Sequence, residues 1–487
     1  MAFAPRKNKC AVIVLTLGLG LTACAPRAAS LSATETAVPT ATKTSVVTGT
    51  SIVTETPVPV EMHVVAETPT PTETPVPTQE ITPTPVPTPT PEPEPTPLYS
   101  IETEGPAAEN LTDRCLAESS RGIQHYLWRI TDEVLTSFQD VKAGQWVSLS
   151  WGEDVPVRTV WLSFQDYPGA YRIQQFDADG ALLQEEPGSG FVNHAVFLEP
   201  RTRKVTLLSE GQCSVAAMYA FGEGAVPNYH PWEPTPEKLD YLIVAMHPDD
   251  DVLFMGAILP LYTVDQGREG SIFYTATRNR VRKDEAQNGA WIMGLRTAPI
   301  LGTFRDISPK NRARLKDTFT EDQVTLTLVR LFRQYRPEVI FSHDLNGEYG
   351  HWQHALLAKA VKKAVPLAAK ESYDARSVKK YGTWQVKKLY LHLYAKNKIS
   401  LPVEKPIEAY GELTPVQIAI AAFQCHQSQL PSRHAVRNEG VYSLSDFGLA
   451  YTVVGLDTPG VNDPFEHIDP TTIHSFKTSG PTPTPEP

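Results

Sequence analysis

Two short runs in this chain carry residue types that can do chemistry together. The first, HPDDD from His247 to Asp251, follows the apolar stretch LDYLIVAM, so an imidazole and consecutive carboxylates stand where a buried strand emerges into a loop. Open α/β sheets place their chemistry at such strand ends. The second, EYGHWQH from Glu348 to His354, follows PEVIFSHDLNG, another apolar run that ends in turn residues. Two strands of one sheet can bring both runs to one edge, and the chemistry they suit is metal-assisted hydrolysis. Such a site needs about three protein ligands and one open position, where coordinated water reaches a pKa near about 7. His247, Asp250 and His354 are candidate ligands. Asp249 is then an unligated carboxylate able to accept a proton. His351, one helical turn before His354, can donate a hydrogen bond or a proton to an oxyanion and a leaving amine.

Each run alone has a plainer explanation. In HPD, Pro248 fixes the chain and Asp249 caps the following helix, and paired surface histidines occur by chance. Arg282 and Glu285 can form an ion pair at a helix start, and Asp306 can either bind a substrate hydroxyl or cap a turn. His343, His392 and His434 are expected to be hydrogen-bonded or surface histidines.

The elements that must position these residues follow from periodicity. From Pro234 onward, strands alternate with helices. Strands are expected at Tyr241 to Met246, Ser271 to Ala276, Glu338 to Ser342 and Lys388 to Tyr394. Helices are expected at Val252 to Val264, Val281 to Leu295, Glu321 to Tyr335, His354 to Ala369 and Pro415 to Gln429. That alternation implies an α/β, Rossmann-like domain with a largely parallel sheet over 233–475. It lacks the Gly-x-Gly-x-x-Gly that a dinucleotide requires. Between 99 and 232 the period is two. Val147, Leu149 and Trp151 alternate with polar residues, as do Val160, Leu162 and Phe164, and turn signals separate the runs. This is an all-β sandwich of jelly-roll type. Trp128, Trp146 and Trp161 have the chemistry to stack on a sugar, although a strand tryptophan is more often core.

Arg6, Lys7 and Lys9 precede an apolar run from Ala11 to Leu21, which is too short to span a bilayer comfortably and suits an export signal over 1–23. From 24 to 98 the chain is rich in Thr and Pro, with fourteen prolines between Pro57 and Pro97. Such a segment cannot offset its ordering entropy by burial and is expected to form an extended stalk. The tail 476–487 repeats its composition. A formal charge of −11 over 487 residues argues against a nucleic-acid partner. Of five cysteines, Cys115 and Cys213 bracket the sandwich region and are candidates for a disulfide in an oxidising exterior.

Three resemblances sharpen these readings. The ending Leu21-Thr22-Ala23-Cys24 resembles the lipobox of bacterial lipoproteins, which implies lipidation at Cys24 and anchorage at the outer face of a membrane. The sandwich is similar in the order of its parts to galactose-binding-like, discoidin-type modules. Members of that fold often bind glycans through loops at one end, and a purely structural spacer role fits the module equally. HPDDD with VLFMGAILP, Arg282-x-x-Glu285 with Met293-Gly294, GEYGHWQH, and CHQSQ at Cys425 to Gln429 together resemble the PIG-L or LmbE-like zinc-dependent N-deacetylases, over about Asp240 to Phe465. That resemblance implies one Zn²⁺, or a neighbour such as Fe²⁺, on His247, Asp250 and His354. It implies Asp249 as base, His351 stabilising the transition state, Tyr349 as a mobile pocket residue, Arg282 contacting substrate and His426 helping to build the pocket. The implied substrate is an N-acetylated sugar or glycan. Two positions depart from the pattern. Asp251 replaces a Glu, and Gln353 replaces an acidic residue, which takes away the partner that would orient His351 unless Asp344 or another carboxylate takes over. The rival functions are a non-catalytic, lipid-anchored glycan-binding protein and a non-haem Fe(II) oxygenase, which also uses two histidines and a carboxylate.

Overall fold

The computed structural model describes residues 99–100, 105–120 and 122–474. The export signal, Cys24, the stalk and the tail lie outside the described residues. Those described belong to one compact unit, and none of their helices is long and apolar enough to cross a membrane.

The first part of that unit is the expected sandwich. Strands β1 (Leu116–Ser119), β2 (Gln139–Val141), β3 (Trp146–Ser150), β4 (Thr159–Phe164), β5 (Tyr171–Phe176), β6 (Leu182–Pro187), β7 (Asn193–Phe197), β8 (Lys204–Ser209) and β9 (Cys213–Phe221) form two antiparallel sheets. Their orders are β1-β3-β8-β5-β6 and β2-β9-β4-β7. Val147, Leu149, Val160, Leu162, Val205 and Leu207 fill the space between the sheets, as the two-residue period requires. Trp161 is core as well, packed on Tyr219, whereas Trp128 is exposed. The proposed disulfide is corrected. Cys115 and Cys213 are both free thiols. Cys115 lies 3.5 Å from the Leu111 carbonyl, whereas Cys213 at the start of β9 lies 3.5 Å from that of Gly169. The two sulfurs thus serve different backbone segments.

The second part is a seven-stranded sheet of order β12-β11-β10-β13-β14-β16-β15. It comprises β10 (Tyr241–Ala245), β11 (Gly270–Tyr274), β12 (Ile300–Leu301), β13 (Val339–Ser342), β14 (Lys388–His392), β15 (Lys398–Ser400) and β16 (Asp446–Thr452). The five strands from β12 to β14 pair in parallel, and β16 and β15 add an antiparallel edge. Helices α1 (Asp250–Met255), α2 (Arg280–Ile292), α3 (Arg312–Leu315), α4 (Glu321–Tyr335), α5 (Trp352–Ala368), α6 (Ala375–Tyr381) and α7 (Pro415–Phe423) connect them. The first expected helix, Val252 to Val264, divides at Gly256 into α1 and a π-helical turn, Leu259–Val264. Pro260 lies in that turn and has no N–H to continue an α-helical ladder.

Strand β10 is flanked by β11 on one side and β13 on the other, so the chain reverses its direction of travel across the sheet at β10 and β13. A crevice forms at the carboxyl ends of strands where this occurs. Val244 pairs with Ser342 in parallel register, which brings HPDDD and GEYGHWQH out of neighbouring strands side by side.

Sandwich and sheet are joined through α2. Arg280 is buried, and its guanidinium donates to Ser163 Oγ of β4 at 3.0 and 2.6 Å, to Asn193 Oδ1 of β7, and to Asp284 at 2.6 Å. Lys283, also buried, donates to the Gln165 carbonyl and to Asp166 at 2.6 Å. Asn193 completes the junction by donating to Asp284 at 2.7 Å.

Candidate functional site

His247 leaves the end of β10, and Asp249 takes φ 128° and ψ −24° at the entrance to α1. A non-glycine residue with positive φ is strained by roughly 1–3 kcal/mol unless its surroundings hold it. Here Asp251 accepts the Asp249 backbone N–H at 3.4 Å and the Tyr274 hydroxyl at 2.7 Å. The shorter carboxylate at 251 thus still braces the loop. Asp249 does not cap the helix with its side chain, so the plainer explanation of HPD fails. Its Oδ1 accepts from Arg282 Nη2 at 2.5 Å instead, and Arg282 Nη1 reaches Asp306 at 3.1 Å. Burial pushes the Asp249 carboxyl up to about 8, with Arg282 pulling the other way.

Three donor atoms converge beside it. His247 Nδ1, Asp250 Oδ2 and His354 Nε2 are separated by 3.1, 3.1 and 3.2 Å. Ligands about 2.0–2.1 Å from a tetrahedral ion are spaced by about 3.3 Å, so this triangle has the size of one face of such a cage. The proton inventory fits too. His354 Nδ1 meets Glu348 Oε2 at 2.7 Å. An ionised carboxylate only accepts, so Nδ1 carries the proton and Nε2 presents its lone pair to the triangle. Burial opposes charge on His354, but Asp250 and Glu348 outweigh it and draw the ring up to about 10. Burial also opposes ionisation of Asp250, yet His354 and His247 hold it well below the ordinary carboxylate range. The local field favours positive charge at the triangle, and a divalent cation provides it with all three donors unprotonated. The donor set therefore fits a metal ion.

Glu348 is the site residue that sequence reasoning missed. It is wholly buried, and its two oxygens also accept from His343 Nδ1 at 2.9 Å, His392 Nδ1 at 2.9 Å and the Asp344 N–H at 3.1 Å. His343 Nε2 in turn accepts the Met246 N–H at 2.9 Å, fixing the turn before His247. His392 faces acceptors with both nitrogens, Glu348 and the Ser443 carbonyl at 2.7 Å. His343 and His392 are thus hydrogen-bonded, as expected, but they hold the carboxylate that orients His354.

His351 adjoins the triangle, its ring 4.4 Å from that of His354 and 4.9 Å from that of His247. Neither Asp344 nor another carboxylate takes over at His351 Nδ1, which is buried without a partner. Gln353 gives it nothing. Its amide instead accepts the Ile307 N–H at 2.9 Å, donates to the Arg305 carbonyl at 3.0 Å and faces His247 Nε2 at 3.4 Å. Burial, with His354 and His247, pushes His351 down to about 4, so near neutrality it is an uncharged ring with one N–H. Tyr349 stands half exposed at φ 47° with its ring 5.9 Å from that of His351. Asp306 lies 3.5 Å from His247 Nε2 as well as on Arg282. Glu285 does not pair with Arg282, since its oxygens hold the Ser428 N–H and hydroxyl at 2.6 Å each. His426 is fully buried against Phe423 and Gly289, and a Cβ at Gly289 would stand 2.8 Å from its Nε2. Both of its ring nitrogens are buried without a hydrogen-bond partner.

The fold is thus a largely parallel α/β sheet with a two-histidine, one-carboxylate cluster at its switch point and a further carboxylate, Asp249, beside it. Residues 242–365 match the family described as PIG-L: GlcNAc-PI de-N-acetylase, the family that the motifs resemble. A 1D-myo-inositol 2-acetamido-2-deoxy-alpha-D-glucopyranoside deacetylase of Rhodococcus opacus is 27% identical over 177 residues, 31% of this chain and 59% of that protein. The chain therefore spans less than two thirds of that relative. Among solved structures, N,N'-diacetylchitobiose deacetylase from Pyrococcus horikoshii is 16% identical over 40% of this chain and 72% of that one, with a TM-score of 0.31. The family 32 CBM from C. perfringens NanJ, in complex with galactose, is 12% identical over 23% and 98% of the respective chains, with a TM-score of 0.20.

Proposed function

We propose that this protein is a metal-dependent N-deacetylase that removes the acetyl group from an N-acetylglucosamine-type sugar or glycoconjugate. The observation that carries this reading is the donor triangle of His247, Asp250 and His354, with Asp249 ionically held by Arg282 beside it. The named deacetylase relative supports the substrate class. Two imidazoles and a carboxylate suit zinc, with Fe²⁺ as the neighbouring choice. When bound, the ion supplies Lewis acidity that lowers the pKa of water to about 7 and polarises an amide carbonyl.

The chain's own residues do the rest. Asp249 accepts the proton of the attacking water, with its carboxylate aimed by Arg282, and returns it to the departing amine nitrogen. His351, uncharged, donates its N–H to the oxyanion that develops on the carbonyl. Tyr349 lines the mouth, and Asp306 stands where a sugar hydroxyl can meet it. The resemblance of Leu21-Thr22-Ala23-Cys24 to a lipobox supports placement at the outer face of a bacterial membrane.

Acetate release tests the activity. Full-length protein reconstituted with Zn²⁺ is expected to liberate acetate from at least one N-acetylated sugar in a broad glycan panel, to lose that activity on chelation and to regain it on adding metal back. Protein holding one equivalent of metal that releases no acetate from any member of the panel sinks the proposal.

A further inference from the structure

A cleft of about 480 Å³ that belongs to both parts of the fold adjoins the cluster through Arg282 and Asp306, which line it. Arg278, Arg282 and Arg305 line it from the α/β side, and Thr136, Phe138 and Gln165 line it from the sandwich. Arg282 ties the cleft to the reacting end through Asp249 and Asp306. The guanidiniums differ in what they are free to do. Arg282 is occupied by those two carboxylates, and Arg280 by Ser163, Asn193 and Asp284. Arg278 and Arg305 are exposed, and among the described residues neither side chain has a hydrogen bond or ion pair.

Their backbones are nevertheless pinned. The Arg278 carbonyl accepts from Gln165 at 3.1 Å, and that of Arg305 from Gln353 at 3.0 Å. Two further polar atoms of the cleft residues, Gln165 Oε1 and Arg282 Nε, are buried without partners. Two uncompensated positive charges thus face one concavity of a chain whose formal charge is −11. A guanidinium matches carboxylate and phosphate oxygens bidentately.

We propose that the cleft binds the acidic part of an anionic N-acylated saccharide. Arg278 and Arg305 pair with its carboxylate or phosphate, and Phe138, Thr136 and Gln165 supply the opposite wall. The inference rests on the deacetylase reading for the position of the amide, but the anion site itself does not depend on turnover. It also assigns the sandwich a place in the substrate cleft.

The test compares N-acetylglucosamine, N-acetylmuramic acid and N-acetylglucosamine 6-phosphate on the full-length, metal-loaded protein, by kcat/KM and by calorimetric binding. An acidic sugar is expected to be preferred by about tenfold or more, with the preference shrinking as salt rises. Whether the muramic or the phosphorylated sugar leads identifies the anion. In Arg278→Ala/Arg305→Ala the acidic-to-neutral ratio should fall toward one, and Phe138→Asp, which sets a carboxylate in the opposite wall, should lower it as well. Equal handling of all three sugars by the wild type, or a preference that survives the double substitution, overturns the proposal. An unchanged ratio in Phe138→Asp removes the sandwich wall from it. Acidic sugars that bind through these arginines but release no acetate would leave the anion site standing and count against the deacetylase reading.

Discussion

Asp249 combines a strained backbone with a buried carboxylate, and each is held by a different neighbour, Asp251 on the N–H and Arg282 on the oxygen. Because the three donors of the triangle lie elsewhere, Asp249→Asn should retain its metal while losing about 10²–10⁴-fold in kcat, the range of a lost general base. Metal analysis alongside kinetics decides the matter, and a parallel loss of metal contradicts the assignment. Glu348 acts at one remove. Glu348→Gln replaces an acceptor-only carboxylate with an amide facing three imidazole nitrogens and should weaken metal affinity by about 10–100-fold. Competition with a chelator measures this, and unchanged affinity refutes the orienting role. His247, Asp249, Asp250 and His354 were legible because ligands and base sit in two short runs. Glu348 was not. It heads the second run, but its meaning depends on His343 and His392, which emerge from two different strands and converge only in the folded sheet.

At the scale of elements, α2 serves three neighbours from one turn to the next. Arg280, Lys283 and Asp284 face the sandwich, Arg282 faces the cluster, and Glu285 holds Ser428 after α7. In sequence, Arg282-x-x-Glu285 has the spacing of a helical ion pair. Spacing within a helix cannot show that different elements pack against its faces. The helix expected from Pro415 to Gln429 likewise ends at Phe423, and Glu285 takes up the Ser428 N–H further on. The order of β10, β11, β13 and β14 and their helices was legible from periodicity, whereas β12, β15 and β16 were not assigned from it. Asn193→Ala removes an acceptor from Arg280 and a donor from Asp284, leaving buried charge short of partners. It should destabilise the protein by about 1–3 kcal/mol, read as a lower urea midpoint, and an unshifted midpoint would show the junction to be slack.

For the whole molecule, the sequence presented a sandwich and an enzyme fold as separate modules in series. The junction was not legible, because Arg280 and Lys283 look like solvent-facing helix residues until Ser163, Asn193 and Asp166 are seen against them. The basic cleft was hidden for a similar reason, since Arg278 and Arg305 are far apart in an acidic chain. Residues 234–475 expressed alone should therefore give little soluble, cooperatively folding protein, because removing the sandwich strips partners from Arg280, Lys283 and Asp284. Removing one partner of a buried ion pair typically costs about 3–5 kcal/mol. A soluble fragment with an unaltered thermal transition would contradict this.

The shared helix also limits how such a chain can be rebuilt. A foreign sandwich spliced in front of α2 would have to present a hydroxyl, an amide and a carboxylate at the positions of Ser163, Asn193 and Asp166. Any graft lacking that trio would bring its own ligand specificity at the expense of the helix that carries Arg282 to Asp249, so the two halves are expected to change by co-adaptation and not by exchange.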